Sequence, residues 1–103
     1  MIALVLSAAP SDHARTRAGI DLAMTLATFE TPFALFFQGQ ACGCLSNEKN
    51  GQWARKRLAA LPLYGLQTWY TDQVMAQPLE GTEVITSETL QAQLRQCDQV
   101  IRL

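Results

Sequence analysis

Positive charge is scarce in this chain: eight Lys and Arg residues stand against nine Asp and Glu, with one histidine, for a formal net charge of −1. No broad basic surface is available for nucleic acid, and the one local run, Arg55-Lys56-Arg57, reads as the solvated face of a helix. Direct RNA or DNA binding is therefore not expected. Long apolar runs are missing too. The opening Met1-Ile-Ala-Leu-Val-Leu-Ser7 lacks a charged leading region and is far too short for a signal or membrane segment, so it reads as a first strand. A cytoplasmic protein without membrane contact is expected. Cysteine is limited to three residues, an odd number that builds no disulfide framework and agrees with a reducing compartment. Neither Gly-x-Gly-x-x-Gly nor Gly-Lys-Ser/Thr occurs, so no nucleotide cofactor is indicated, although the helix start near Ser11–His13 is able to accept an anion. Repeats, low-complexity tracts and linkers are absent as well.

What is present is apolar and alternating. With 103 residues, 49% of them hydrophobic, the chain suffices for one core and is too short for two, so a single domain over residues 1–103 is expected. Ile2–Leu6 is continuously apolar, as suits a strand buried on both faces of a parallel sheet. After Pro10-Ser11-Asp12, a helix from about His13 to Thr28 takes Ser11 or Asp12 as its N-cap and sets Ala18, Leu22, Leu26 and Phe29 on one stripe. Its other side carries Ile20, Ala23, Met24 and Ala27. A helix apolar nearly all round is usually covered twice, by the sheet and by something else, for which a partner subunit is the natural candidate.

Phe33–Phe37 reads as the second strand, opening at Gly39 into a loop that runs to Gly51. A second helix follows from about Gln52 to Leu61, stopped by Pro62. The pattern then predicts a third strand over Leu66–Tyr70 and a helical turn over Thr71–Gln77. A short strand at Thr82–Ile85, a helix over Glu88–Gln96 capped by Ser87, and a final strand at Val100–Leu103 complete the chain. This alternation implies an α/β domain with a doubly wound, mainly parallel five-stranded sheet and helices on both faces, of flavodoxin-like type. Such a fold decides nothing about function by itself.

The sharpest chemical signal is Cys42-Gly43-Cys44, just past the carboxyl end of the second strand, where ligands and reactive groups gather in this class. Closely spaced thiols hold persulfides, exchange disulfides or bind metal. The competing reading is two incidental loop cysteines. Zinc needs about four ligands, and beyond this pair only His13, Cys97 and carboxylates are on offer, so no metal is expected. His13 sits at a helix start, where the dipole favours a neutral imidazole available as a base. Its first reading is nevertheless an ordinary solvent-facing first-turn residue. Trp53, Trp69 and Tyr70 suit core or interface anchors, and Cys97 a small buried side chain.

Several segments together resemble the DsrE/DsrF-like sulfur-relay family, within it the TusC/DsrF branch. They are Ile2-Ala-Leu-Val-Leu-Ser-Ala-Ala-Pro10, Arg17-Ala-Gly-Ile-Asp-Leu-Ala23, Phe36-Phe37-Gln38-Gly39, Leu61-Pro-Leu-Tyr-Gly65 and Cys97-Asp-Gln-Val-Ile-Arg-Leu103. The resemblance implies a cytoplasmic subunit that joins TusB-like and TusD-like partners in a heterohexamer, two copies of each. Through that complex it would serve sulfur donor and acceptor proteins in persulfide relay, toward tRNA wobble-uridine thiolation in TusBCD-type assemblies or sulfur oxidation in DsrEFH types. In the TusD/DsrE branch the sulfur-carrying cysteine follows the third strand, and the matching positions here, around Trp69–Asp72, hold none. Gln40-Ala-Cys-Gly43 also replaces the usual Asp-Gly after the second strand. The resemblance thus implies a mainly structural, non-catalytic subunit without a cofactor. An active persulfide carrier using Cys42 or Cys44, helped by the neighbouring thiol or His13, is the alternative, and a ligand-binding domain outside sulfur metabolism is a third.

Overall fold

The apolar run Ile2–Leu6 forms β1 at the heart of a five-stranded sheet. The computed structural model describes residues 1–103. After β1 come α1 (His13–Thr28), β2 (Phe33–Phe37), α2 (Gln52–Leu58), β3 (Trp69–Thr71), β4 (Thr82–Val84), α3 (Ser87–Gln96) and β5 (Gln99–Arg102). The sheet order is β4-β3-β2-β1-β5 and every neighbouring pair is parallel. The expected α/β class with helices on both faces is what is found. Its order differs from the 2-1-3-4-5 of flavodoxin itself.

That order follows from handedness. The chain steps outward from β1 to β4 in one direction, so right-handed crossovers hold α1 and α2 on one face. It then returns past β1 to pair β5, which throws α3 onto the other. Side chains divide accordingly. Leu4, Leu6, Leu35, Phe37 and Trp69 join the larger core beneath α1 and α2, whereas Ala3, Val5 and Phe36 meet Leu90 and Leu94 of α3. Strands that must be apolar on both faces carry no alternation, and β1 and β2 have none.

In α1 the buried side is Thr16, Gly19, Ile20, Ala23 and Ala27, while Ala18 and Phe29 are exposed and Leu22 and Leu26 half-buried. The stripe expected to face the core is thus on the shoulder. Small residues decide the orientation: Gly19 lies directly on Leu6, where a Cβ would collide with the leucine methyls. Asp12 caps the helix by accepting from the Arg15 amide at 3.3 Å.

Further elements differ from expectation for identifiable reasons. α2 ends at Leu58, and a 3-10 turn at Leu61–Tyr64 takes up Pro62 before Gly65 reverses the chain at φ 98°. Leu66 then donates its amide to Leu61 and the Gln67 amide side chain bonds the Pro62 carbonyl, so the strand starts only at Trp69. No helical turn forms over Thr71–Gln77. That loop is held by other elements instead, through Arg55 on the Gln77 carbonyl at 3.1 Å and the Leu79 amide on the Leu45 carbonyl at 2.8 Å. The third helix takes Thr86 as its cap, its hydroxyl accepting from the Thr89 amide at 3.1 Å.

Gly51, at the start of α2, presses against the carbonyl of Gly43, leaving no room for a Cβ. Both contacting groups are backbone, so neither can rotate away. Gly51→Ala should lower stability by about 1–3 kcal/mol in urea or thermal unfolding, and a neutral effect would show that the loop relaxes freely.

Candidate functional site

The carboxyl ends of β1, β2 and β3 frame a cleft of about 330 Å³. Ala9, Pro10 and Ser11 supply one wall, the segment from Gly39 to Asn50 the floor and second wall, and Gln73 with Met75 the third. After Phe37 the chain turns at Gly39, whose φ of 57° suits glycine, and winds into a 3-10 turn over Gly39–Cys44. Gly43 is wedged between Pro10 and Glu48, where an added Cβ would come within 3.0 Å of both. The floor is therefore closely fitted to the loop after β1.

Cys42 lies on this floor and Cys44 beneath it. Cys42 is 7% exposed and lines the cleft, whereas Cys44 is 1% exposed and belongs to the core. The Cys42 sulfur stands 3.1 Å from Thr71 Oγ1, and its thiol donates to the Phe37 carbonyl at 3.8 Å. The Gln73 amide donates to Thr71 Oγ1 at 3.2 Å. One proton arrangement satisfies all three contacts: Gln73 N–H to Thr71, Thr71 O–H to sulfur, and S–H to Phe37. Register makes this possible, because Phe37 and Thr71 are partners across β2 and β3.

Burial pushes the Cys42 thiol above its ordinary range; the Thr71 hydrogen bond pulls it partly back, and the Asp72 carboxylate pushes it up again. Cys44 is pushed up to about 12, chiefly by burial, with Cys42 and Glu48 adding to the effect. Both thiols are protonated at neutral pH. Since the thiolate is the nucleophile, the cleft holds a latent sulfur rather than an activated one. Glu48 is the only carboxylate on its walls.

His13 is elsewhere. Its ring stacks on Trp53 at 4.8 Å and 16° and lines a separate concavity between α1 and α2, so it does not assist either thiol. Cys97, half-buried, lies on the α3 side of the sheet and donates to the Gln93 carbonyl at 3.4 Å. No three His, Cys, Asp or Glu side chains converge as metal ligands. No helix is long and apolar enough to cross a membrane. Sequence reasoning missed Thr71. Its signal was a polar residue closing a strand otherwise made of Trp69 and Tyr70, at a depth where an unpaired hydroxyl is costly.

Two outcomes test these assignments. Alkylation of Cys42 by iodoacetamide should be slow at pH 7 and accelerate as pH rises past 9, with Thr71→Val slowing it further and Asp72→Asn speeding it. Cys44 binds its proton more firmly folded than unfolded, so its stabilising contribution is complete below pH 9.0 and is lost as pH climbs toward about 12. Urea titrations across that range should show a steep alkaline loss that Cys44→Ala flattens.

The comparisons with known proteins agree with this geometry. The sequence model of the DsrE/DsrF-like family matches residues 1–103. The crystal structure of the ychN protein from E. coli is similar in fold, with a TM-score of 0.72 over 99% of this chain and 97% of that one, at 19% identity. No curated protein sequence matches. Since the family's sequence model spans every residue, the chain belongs to the DsrE/DsrF-like family.

Proposed function

We propose that this protein is a cytoplasmic, mainly structural subunit of a persulfide-transfer complex, TusC-like in kind, that supports thiolation of the tRNA wobble uridine. In that role it assembles with TusB-like and TusD-like subunits in a heterohexamer and meets sulfur donors and acceptors through the complex. The observation that carries this reading is the end of β3. Thr71 stands there, fully buried and committed to Cys42, within the Trp69–Asp72 stretch that the resemblance matches to the carrier branch's cysteine. Support for assembly comes from large apolar side chains left in solvent, with Phe29 76% and Leu63 86% exposed. A single helix, α3, also leaves Val100 uncovered on its side of the sheet.

A second reading has its own observation. Cys42 faces an open polar cleft of about 330 Å³ and accepts from a hydroxyl, so its thiolate is placed to attack the outer sulfur of a donor persulfide, breaking the donor's S–S bond and releasing the donor thiolate. A DsrF-like role in sulfur oxidation involves the same kind of assembly and differs in the pathway served.

Co-expression with TusB-like and TusD-like proteins, followed by native mass spectrometry, should give a stoichiometric complex. A stable partnerless monomer would count decisively against the structural reading. Treating the complex with a persulfide donor and mapping peptides should place the 32-Da additions (the mass of one sulfur atom, about 32 Da) on a partner's cysteine; additions on Cys42 would establish the carrier reading instead. Loss of wobble thiouridine on deletion of the gene separates tRNA thiolation from sulfur oxidation.

A further inference from the structure

We propose that the surface where α1 meets α2 docks an acidic protein segment, whose Asp or Glu carboxylates are received by Arg17 and Arg57 beside the His13–Trp53 stack. The surface is a concavity of about 430 Å³, bounded by His13, Ala14, Arg17, Trp53 and Arg57, and it shares no residue with the Cys42 cleft. The partner it calls for rests on the reading of this chain as a subunit of an assembly.

Charge is divided unevenly over the molecule. Along α1 and α2 themselves Arg15, Arg17, Lys56 and Arg57 are exposed against Asp21 alone, with Asp12 and Glu30 at the ends of α1, whereas on and around β4 and α3 exposed Glu80, Glu83 and Glu88 outnumber Arg95. The near-neutral total conceals a basic face. Within that face a carboxylate already marks the binding position. Asp21 sets one oxygen 3.9 Å from Arg17 Nε and the other 3.9 Å from Arg57 Nη1, with all three side chains 43–63% exposed. Both contacts are at the outer limit of ion pairing, and neither guanidinium is engaged in a fork, so their remaining N–H donors face solvent. An exposed pair this loose is weak and easily exchanged for a better-aligned acceptor.

Trp53 supplies the second observation. Its Nε1–H is buried without any hydrogen-bond acceptor, the one such side-chain polar atom in the molecule. The surface therefore has donors in excess, two guanidiniums against one carboxylate, and beside them lies an indole whose own N–H is unmet. An incoming acidic side chain that displaces Asp21 gives both guanidiniums a better-aligned acceptor. Trp and Arg side by side are also the residue types that concentrate binding energy at protein interfaces, and a basic face speeds encounter with an acidic one. Nucleic acid fits less well, because the indole is already occupied by His13 at 4.8 Å and by the Arg57 guanidinium 5.6 Å from the ring centre, leaving no free platform for a base.

The test uses the full chain and capped octaglutamate as the probe, with capped octaglutamine and a single-stranded RNA octamer as comparisons. Trp69 is fully buried with its N–H on Thr82 at 3.0 Å, so fluorescence changes report Trp53. Octaglutamate should give a saturable change, absent with octaglutamine, weakened about tenfold by Arg57→Gln and by Arg17→Gln, and diminished by salt. No response, an equal response to octaglutamine, insensitivity to both substitutions, or tighter binding of RNA would each overturn the proposal. A second arm asks whether the doubly substituted R17Q/R57Q chain still assembles with the TusB-like and TusD-like subunits. If the unsubstituted chain assembles and R17Q/R57Q drops a partner, the docking surface is supported. Assembly unaffected by R17Q/R57Q overturns the docking surface and leaves the relay reading standing. Octaglutamate binding with no assembly even of the unsubstituted chain sinks the relay reading and leaves the acid-binding surface standing.

Discussion

The hydrogen-bonding of β1 on both edges governs everything else in the molecule. Ile2–Leu6 pairs residue for residue with Phe33–Phe37 on one side, and Ile2–Val5 pairs with Gln99–Arg102 on the other. A strand held in this way is closed to solvent along both edges and covered on both faces, which is why four of its five residues are buried. The same double pairing sends the chain outward and then back, and so sets two helices on one face and one on the other. It also fixes where the loops after β1, β2 and β3 emerge together. The Cys42 cleft is a product of that convergence.

Within the cleft, geometry and electrostatics point in opposite directions. The turn over Gly39–Cys44 delivers a thiol to the end of β3, beneath an opening large enough for a ligand. Its surroundings then keep that thiol protonated, through burial and the nearby carboxylate of Asp72, with only the Thr71 hydroxyl working the other way. A sulfur so held is well positioned and poorly activated. Activation would require water, a cation or a partner surface to alter the local field, and in an assembly such changes come from neighbouring chains. The basic character of the α1–α2 face and the uncovered apolar side chains also make sense when neighbours are considered.

Much of this was legible in the amino-acid sequence because the signals were local. Continuous apolarity marks β1 and β2, Asp12 marks one helix start and Ser87 another to within one residue of its cap Thr86, and Pro62 marks a break. What escaped reading depends on distant partners. The inward face of α1 could not be found by counting apolar residues, since both sides are apolar; it is chosen by Gly19, Ala23 and Ala27 allowing close approach to the sheet. The segment after β3 has helix-compatible residues but is claimed by Arg55 and Leu45. The proximity of Cys42 to Thr71, 29 residues apart, follows from strand register, which no local pattern encodes. The family resemblance was readable because its segments are spread along the whole chain.

The pairing of β1 with β5 has a kinetic side. It joins the start of the domain to the last strand, so on a ribosome the outer edge of β1 stays unpaired until nearly the entire domain has emerged. During that interval an apolar strand presents free N–H and C=O groups to any other extended segment. Long-range closure of this sort is also slow, because the entropy of a large loop is lost before its contacts form. The central strand that makes the finished protein secure is thus its most vulnerable element while it is being made, and timely arrival of β5 acts as the seal.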